Sequence, residues 1–159
     1  MATETQIDQY RVFGNPIHHS KSPNIHKAFA QATKQHINYQ AELVAEDEFE
    51  HRVKEFFADG GKGLNITVPF KQRAFAMAQV LSPAAKKAAA ANTLYLNNQG
   101  QLVADNTDGM GLVRDISHNL SGELKAKRIL VLGAGGAVRG VLQPILAQLP
   151  AQVIIANRT

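Results

Sequence analysis

The chain has 159 residues, 45% of them hydrophobic, and no cysteine, which suits one domain or one domain with part of another and excludes disorder, a disulfide framework and thiolate chemistry. Seventeen Lys and Arg against thirteen Asp and Glu leave a formal charge of +4, a field that draws in small anions. The densest basic runs, Lys86-Lys87 and Lys125 to Arg128, are short and lack aromatic neighbours, no stretch approaches the roughly 20 apolar residues of a membrane span, and Met1–Thr5 lacks a signal-peptide pattern, so a cytoplasmic protein with no nucleic-acid, membrane or metal partner is expected.

Arg11-Val12-Phe13 reads as a strand ending at Gly14. After the polar loop Asn15–Lys21, Ser22 is expected to cap a helix with Pro23 at its first position, and Ile25, Ala28, Phe29 and Ala32 recur at helical spacing as its buried face. Tyr39–Val44 suits a strand. Glu46–Ala58 suits a helix with Phe49, Val53, Phe56 and Phe57 on one stripe, stopped by Gly60-Gly61. Gly63–Val68 reads as a buried strand ended by Pro69, with a helix beginning near Phe70-Lys71, and Ser82-Pro83 repeats the helix-start signal. Thr93–Leu96 and Leu102–Ala104 flank Asn97 to Gly100 as a hairpin. Thr107 is placed to cap a helix carrying Leu112, Ile116 and Leu120.

The pattern then changes. Arg128–Leu132 is a nearly continuous apolar strand, the signature of a parallel sheet covered on both faces. Gly133-Ala134-Gly135-Gly136-Ala137 follows at once and opens a helix to about Leu149, which Pro144 is expected to bend or shorten. In this strand–loop–helix context Gly133 can make a tight turn, and Gly135 lets backbone approach a pyrophosphate at the helix N-terminus. Val138 stands where the usual third glycine falls, so the loop is a Gly-x-Gly-Gly variant; a glycine turn serving only packing is the alternative. Gln152–Ala156 is a second apolar strand. Its end offers Asn157, Arg158 and Thr159 where NAD-binding proteins commonly place an acid on the ribose, and Arg158 can pair with a 2′-phosphate, which favours NADP.

Four polar clusters fall at element ends before this: Ser20 to Ser22, Asn65 to Lys71, Asn92-Thr93, and Asp105 to Gly109. Each alone reads equally well as capping or surface. Gly14-Asn15-Pro16-Ile17-His18-His19-Ser20-Lys21-Ser22-Pro23, Asn65 to Lys71, Asn92-Thr93-Leu94, Asn106-Thr107-Asp108-Gly109, Gly133 to Ala137 and Asn157-Arg158-Thr159 together closely resemble the shikimate dehydrogenase family, in that family's order. The resemblance implies an α/β fold: a substrate domain over residues 1–106, then a linker helix and the first β-α-β unit of a Rossmann-like NADP domain over 107–159. It implies Ser20 and Ser22 on the substrate carboxylate, and Asn65, Thr67, Asn92 and Asp108 on the ring hydroxyls. Lys71 and Asp108 become the catalytic couple. Gly133, Ala134, Gly135, Gly136 and Ala137 take the NADP pyrophosphate, with Asn157, Arg158 and Thr159 at the adenosine phosphate.

The implied reaction is reversible NADPH-dependent reduction of 3-dehydroshikimate to shikimate. A single strand–helix–strand unit is few strands for a nucleotide domain, so the chain is expected to be an N-terminal portion with impaired activity, open to self-association through the edge of its short sheet. A non-catalytic shikimate-binding or assembly module and a quinate/shikimate-type dehydrogenase are the other readings.

Overall fold

In chain order the elements are β1 (Asp8–Gly14), α1 (Ser22–Thr33), β2 (Ile37–Leu43), α2 (Phe49–Ala58), β3 (Gly63–Ile66), α3 (Lys71–Met77), β4 (Val80–Leu81), α4 (Pro83–Ala88), β5 (Thr93–Leu96), β6 (Leu102–Asp105), α5 (Asp108–Arg114), β7 (Arg128–Leu132), α6 (Gly136–Leu146) and β8 (Gln152–Ala156). The structure, a computed structural model, describes residues 7–158. The first six strands form one mixed sheet in the order β2-β1-β3-β5-β6-β4, and β7 and β8 pair in parallel as a second sheet. The α/β class expected from sequence is therefore the class observed. None of the described helices is long and apolar enough to cross a membrane.

The core follows the helix stripe and the strands beneath it. Phe49, Val53 and Phe56 of α2 are buried and join Phe13, Leu64, Ile66, Phe70, Ala74 and Leu94 in one cluster. Phe49 and Phe70 stack at 4.5 Å with nearly parallel rings. Arg73 lies over both rings, 5.3 Å and 5.7 Å from their centroids, and its Nε donates to Glu50 Oε1 at 2.8 Å. That bond holds the Glu50 carboxyl below its ordinary value. A lowered folded-state value contributes stability at neutral pH that is lost as pH falls below about 4.5. Glu50→Gln is expected to lower stability slightly at neutral pH and hardly at all near pH 3, which flattens the acid limb; urea midpoints measured from about pH 7 down to pH 3 check this.

Three local expectations are corrected. The predicted buried face of α1 is exposed, Ile25 at 46% and Phe29 at 60%, with Ala28 and Ala32 also exposed. The helix instead turns Pro23, His26 and Ala30 inward, because the His26 ring stacks on Tyr39 of β2 at 4.0 Å. Ser22 does not cap α1 but opens it, and its N–H donates to Ser20 Oγ at 3.3 Å. Thr107 precedes α5 without capping it; its hydroxyl oxygen accepts from Asn92 instead. Ser82 does cap α4 as expected, accepting from the Ala85 N–H at 3.0 Å.

The second sheet also differs from expectation. Ile129 and Val131 are half-buried, but Leu130 and Leu132 are 60% and 77% exposed. A single crossover helix can cover only one face of two strands, so β7 is not covered on both sides. Pro144 sits inside α6, which ends two residues later at Leu146 rather than near Leu149.

Candidate active site

The topology of the large sheet gathers the polar clusters along one edge. β1 and β3 are parallel, with Phe13 opposite Ile66, so Gly14 and Thr67 leave the sheet side by side. β5 runs antiparallel to β3 and β6, which brings its first residues to that same edge: Thr93 stands opposite both Asn65 and Asp105. The Thr67 N–H donates to the Phe13 carbonyl at 3.0 Å, and the Asn15 N–H to the Val68 carbonyl at 2.9 Å, tying the two loops together. A Cβ on Gly14 would lie 2.5 Å from Thr67 Cγ2, so this contact requires glycine.

Lys71, the first residue of α3, places Nζ 2.6 Å from Oδ2 of Asp108, the first residue of α5. The two side chains are only 15% and 23% exposed. Asp108 is fixed from two further directions. Its Oδ1 accepts from Asn92 Nδ2 at 2.8 Å, and its backbone N–H donates to Asn106 Oδ1 at 3.1 Å. Asn106 is buried, and its Nδ2 donates to the Ala90 carbonyl. Asn92 Oδ1 accepts from the Thr93 hydroxyl and the Thr107 N–H. The carboxylate thus has one oxygen on the amide and one on the ammonium, a geometry that leaves the remaining Nζ protons to meet a ligand oxygen.

Two residues at this edge escaped sequence reasoning as contributors. Asn106 lies in a recognised motif, and its position two before Asp108 is the usual spacing for a side-chain-to-backbone turn, but burial is not visible in the sequence. Tyr39, whose hydroxyl donates to Asn65 Oδ1 at 2.7 Å, has no sequence signal beyond β propensity.

The glycine loop lies at the carboxyl end of β7. Gly133 takes φ +104°, and its N–H donates to the Ala156 carbonyl at 2.7 Å. A Cβ at Gly133, Gly135 or Gly136 would meet nothing within 4 Å, so the loop backbone faces open space where a diphosphate can approach. Gly133, Ala156, Asn157 and Arg158 line one open depression. Thr159 lies outside the described residues.

The two parts meet through α5 and α6. Pro144 has no N–H for the Gly140 carbonyl, and Gly109 of α5 packs against that same carbonyl. A Cβ on Gly109 would fall 2.5 Å from the Gly140 oxygen, and one on Gly140 would fall 3.2 Å from Asp108 Oδ2. Gly140 is one turn along α6 from Gly136, about 6 Å along the axis, so the glycine-loop helix touches Asp108 itself. Gly109→Ala is expected to cost about 1–3 kcal/mol by overpacking. Gly111→Ala, with open space around the added methyl, should stabilise by up to about 1 kcal/mol; urea denaturation of both variants checks the contrast.

A polar cluster at the edge of an α/β sheet, beside a glycine-rich strand-to-helix loop, defines a class of α/β protein that sets a small-molecule site against a nucleotide-type loop. Within that class, the family model for the shikimate dehydrogenase substrate binding domain matches residues 12–94, and the chain belongs to the shikimate dehydrogenase family. A Cellvibrio japonicus protein named shikimate dehydrogenase (NADP(+)) is 57% identical over 152 residues, covering 96% of this chain and 55% of its own. The crystal structure of an Ael1 enzyme from Pseudomonas putida is 51% identical with a TM-score of 0.88, covering 96% of this chain and 56% of that one. That of a Thermus thermophilus shikimate 5-dehydrogenase in complex with NADP(H) and shikimate is 31% identical with a TM-score of 0.85, covering 96% and 57%. The chain spans a little over half the length of these relatives.

Proposed function

We propose that this chain carries the shikimate-binding and proton-handling residues of an NADP-dependent dehydrogenase that interconverts shikimate and 3-dehydroshikimate. The observation that carries the reading is the Lys71–Asp108 pair, braced by Asn92 and Asn106 at the sheet edge where Asn65 and Thr67 also end their strand. Residues 1–106 act as the substrate domain, and 107–159 as the linker helix and nucleotide-binding part. Ser20 and Ser22 donate hydroxyl hydrogen bonds to the substrate carboxylate, while Asn65, Thr67, Asn92 and Asp108 orient the ring hydroxyls. The Lys71 ammonium stabilises charge developing on the reacting oxygen, and the Lys71–Asp108 couple carries its proton.

The glycine loop fits a dinucleotide, because three glycines leave open space at a helix N-terminus. Residues Gly133 to Ala137 would hold the pyrophosphate, with Asn157, Arg158 and Thr159 toward the adenosine phosphate. NADP supplies the hydride chemistry when bound. With Leu130, Leu132, Ile154 and Ile155 exposed on the two-stranded sheet, the 159-residue chain alone is assigned shikimate binding with impaired turnover.

Calorimetric titration with shikimate tests the first half of this reading: saturable binding is expected, and no heat up to about 10 mM ligand removes it. For the second half, the chain is joined to the remaining portion of the Cellvibrio japonicus relative and NADPH absorbance is followed with shikimate. Wild-type-like turnover by the unjoined chain contradicts the impairment. In the joined protein Arg158→Ala should lower the preference for NADP over NAD by roughly 10- to 100-fold, the worth of a charged hydrogen bond, measured as the ratio of kcat/KM values.

A further inference from the structure

Tyr39 lies on β2, an edge strand, and belongs to none of the polar clusters of the site. Its ring is nevertheless held as firmly as theirs. His26 stacks on it at 4.0 Å with an interplanar angle of 9°, and His26 is itself tied to α1 through Nδ1, 2.9 Å from the Ser22 carbonyl. The Tyr39 hydroxyl donates to Asn65 Oδ1 at 2.7 Å. A path of side-chain contacts therefore runs from Tyr39 to Asn65, across a long 3.4 Å contact to Thr93, then to Asn92, and ends at Asp108 and Lys71. Through the stacked His26 ring, Tyr39 also joins α1 to this path.

We propose that Tyr39 is a positioning residue, which sets the Asn65 amide so that its Nδ2 meets a bound ligand; this rests on the shikimate-binding reading above. Accepting from the phenol commits Asn65 Oδ1, so the amide turns Nδ2 toward the site. The contacts of Nδ2 to the Asn92 carbonyl and Thr93 hydroxyl are both 3.4 Å, long enough to leave its protons available to a ligand oxygen. Burial pushes the Tyr39 phenol up to about 12, against the opposing effect of Ser22, so it remains a neutral donor at every working pH. Phenylalanine at this position keeps the stacking on His26 and removes only the hydroxyl. The amide then loses the bond that distinguishes its two ends.

The test is a double-substitution cycle read by calorimetry with shikimate on the 159-residue chain, using Tyr39→Phe, Asn65→Ala and both together. Tyr39→Phe alone should weaken binding about tenfold, the worth of one partly buried hydrogen bond. In the Asn65→Ala background the same change should cost about threefold or less, because little is left to position. Fully additive costs, as a role in local folding would give, overturn the proposal, as does Tyr39→Phe binding as tightly as the parent. A ligand-free readout accompanies it. The side-chain amide signals of Asn65 in a nitrogen-15 spectrum should shift in Tyr39→Phe, and unchanged signals also overturn the proposal. Absence of shikimate binding by the unsubstituted chain is a separate result that sinks the proposed function, while the amide signals still report on the Tyr39–Asn65 bond.

Discussion

Lys71→Ala in the joined protein is expected to lower kcat for shikimate oxidation by about 10²- to 10⁴-fold, the range for removing a positioned proton-transfer group. The KM for shikimate should move only a few-fold. On the proposed reading Lys71 supplies one ammonium, whereas Ser20, Ser22, Asn65, Thr67 and Asn92 would carry the ground-state contacts. An interaction made mainly as charge develops on the reacting oxygen shows as a loss of kcat with KM nearly kept. The structure sharpens this expectation, because Asp108 does not depend on Lys71 for its place. Asn92 Nδ2 still donates to Oδ1, and Asn106 Oδ1 still accepts from the Asp108 N–H. The carboxylate therefore stays where it is after the lysine is gone. An equal loss through KM would mean that Lys71 serves binding rather than chemistry. Steady-state kinetics at several shikimate concentrations separates the two.

The polar residues were legible in the sequence as types at element ends, but the pairing of Lys71 with Asp108 followed from the family resemblance and from no local pattern. Lys71 and Asp108 are 37 residues apart, and no periodicity links them. They are joined because β5 and β6 reverse direction twice between α4 and α5, a matter of sheet order rather than local pattern. Local signals served well where chemistry is local. The α2 stripe, the Ser82 cap, the hairpin at Asn97 to Gly100 and the glycine turn after β7 all depend on residues within one or two turns of each other. The same reasoning misled at α1, because the spacing of Ile25, Ala28, Phe29 and Ala32 marks a face without saying what lies opposite. The stacking of His26 on Tyr39 decides that helix's rotation instead. β4, two residues long and parallel to β6, carries too little sequence to signal a strand at all.

The second large effect is on stability and begins in the core directly behind the lysine. Phe49 and Phe70 are both fully buried, stack at 4.5 Å, and share the Arg73 guanidinium above their rings. Phe49→Ala removes a large side chain from α2 and leaves a void against Phe70, so a loss of about 3–5 kcal/mol is expected. That loss approaches the whole stability of an ordinary domain, and a large fall in the urea midpoint is the readout. Phe70→Ala should cost a similar amount, and the two together less than their sum, because each empties part of the same space. Phe70 has a second consequence that Phe49 lacks. It immediately precedes Lys71, and its N–H donates to the Thr67 carbonyl at 2.9 Å. Burial of its ring thus pins the turn that carries both Thr67 and the Lys71 ammonium. Phe70→Leu, which keeps most of the apolar volume, should therefore lower kcat/KM in the joined protein more than Phe49→Leu does at equal stability. Equal kinetic losses from the two leucine variants would show that the ring supports the fold without aiming the site.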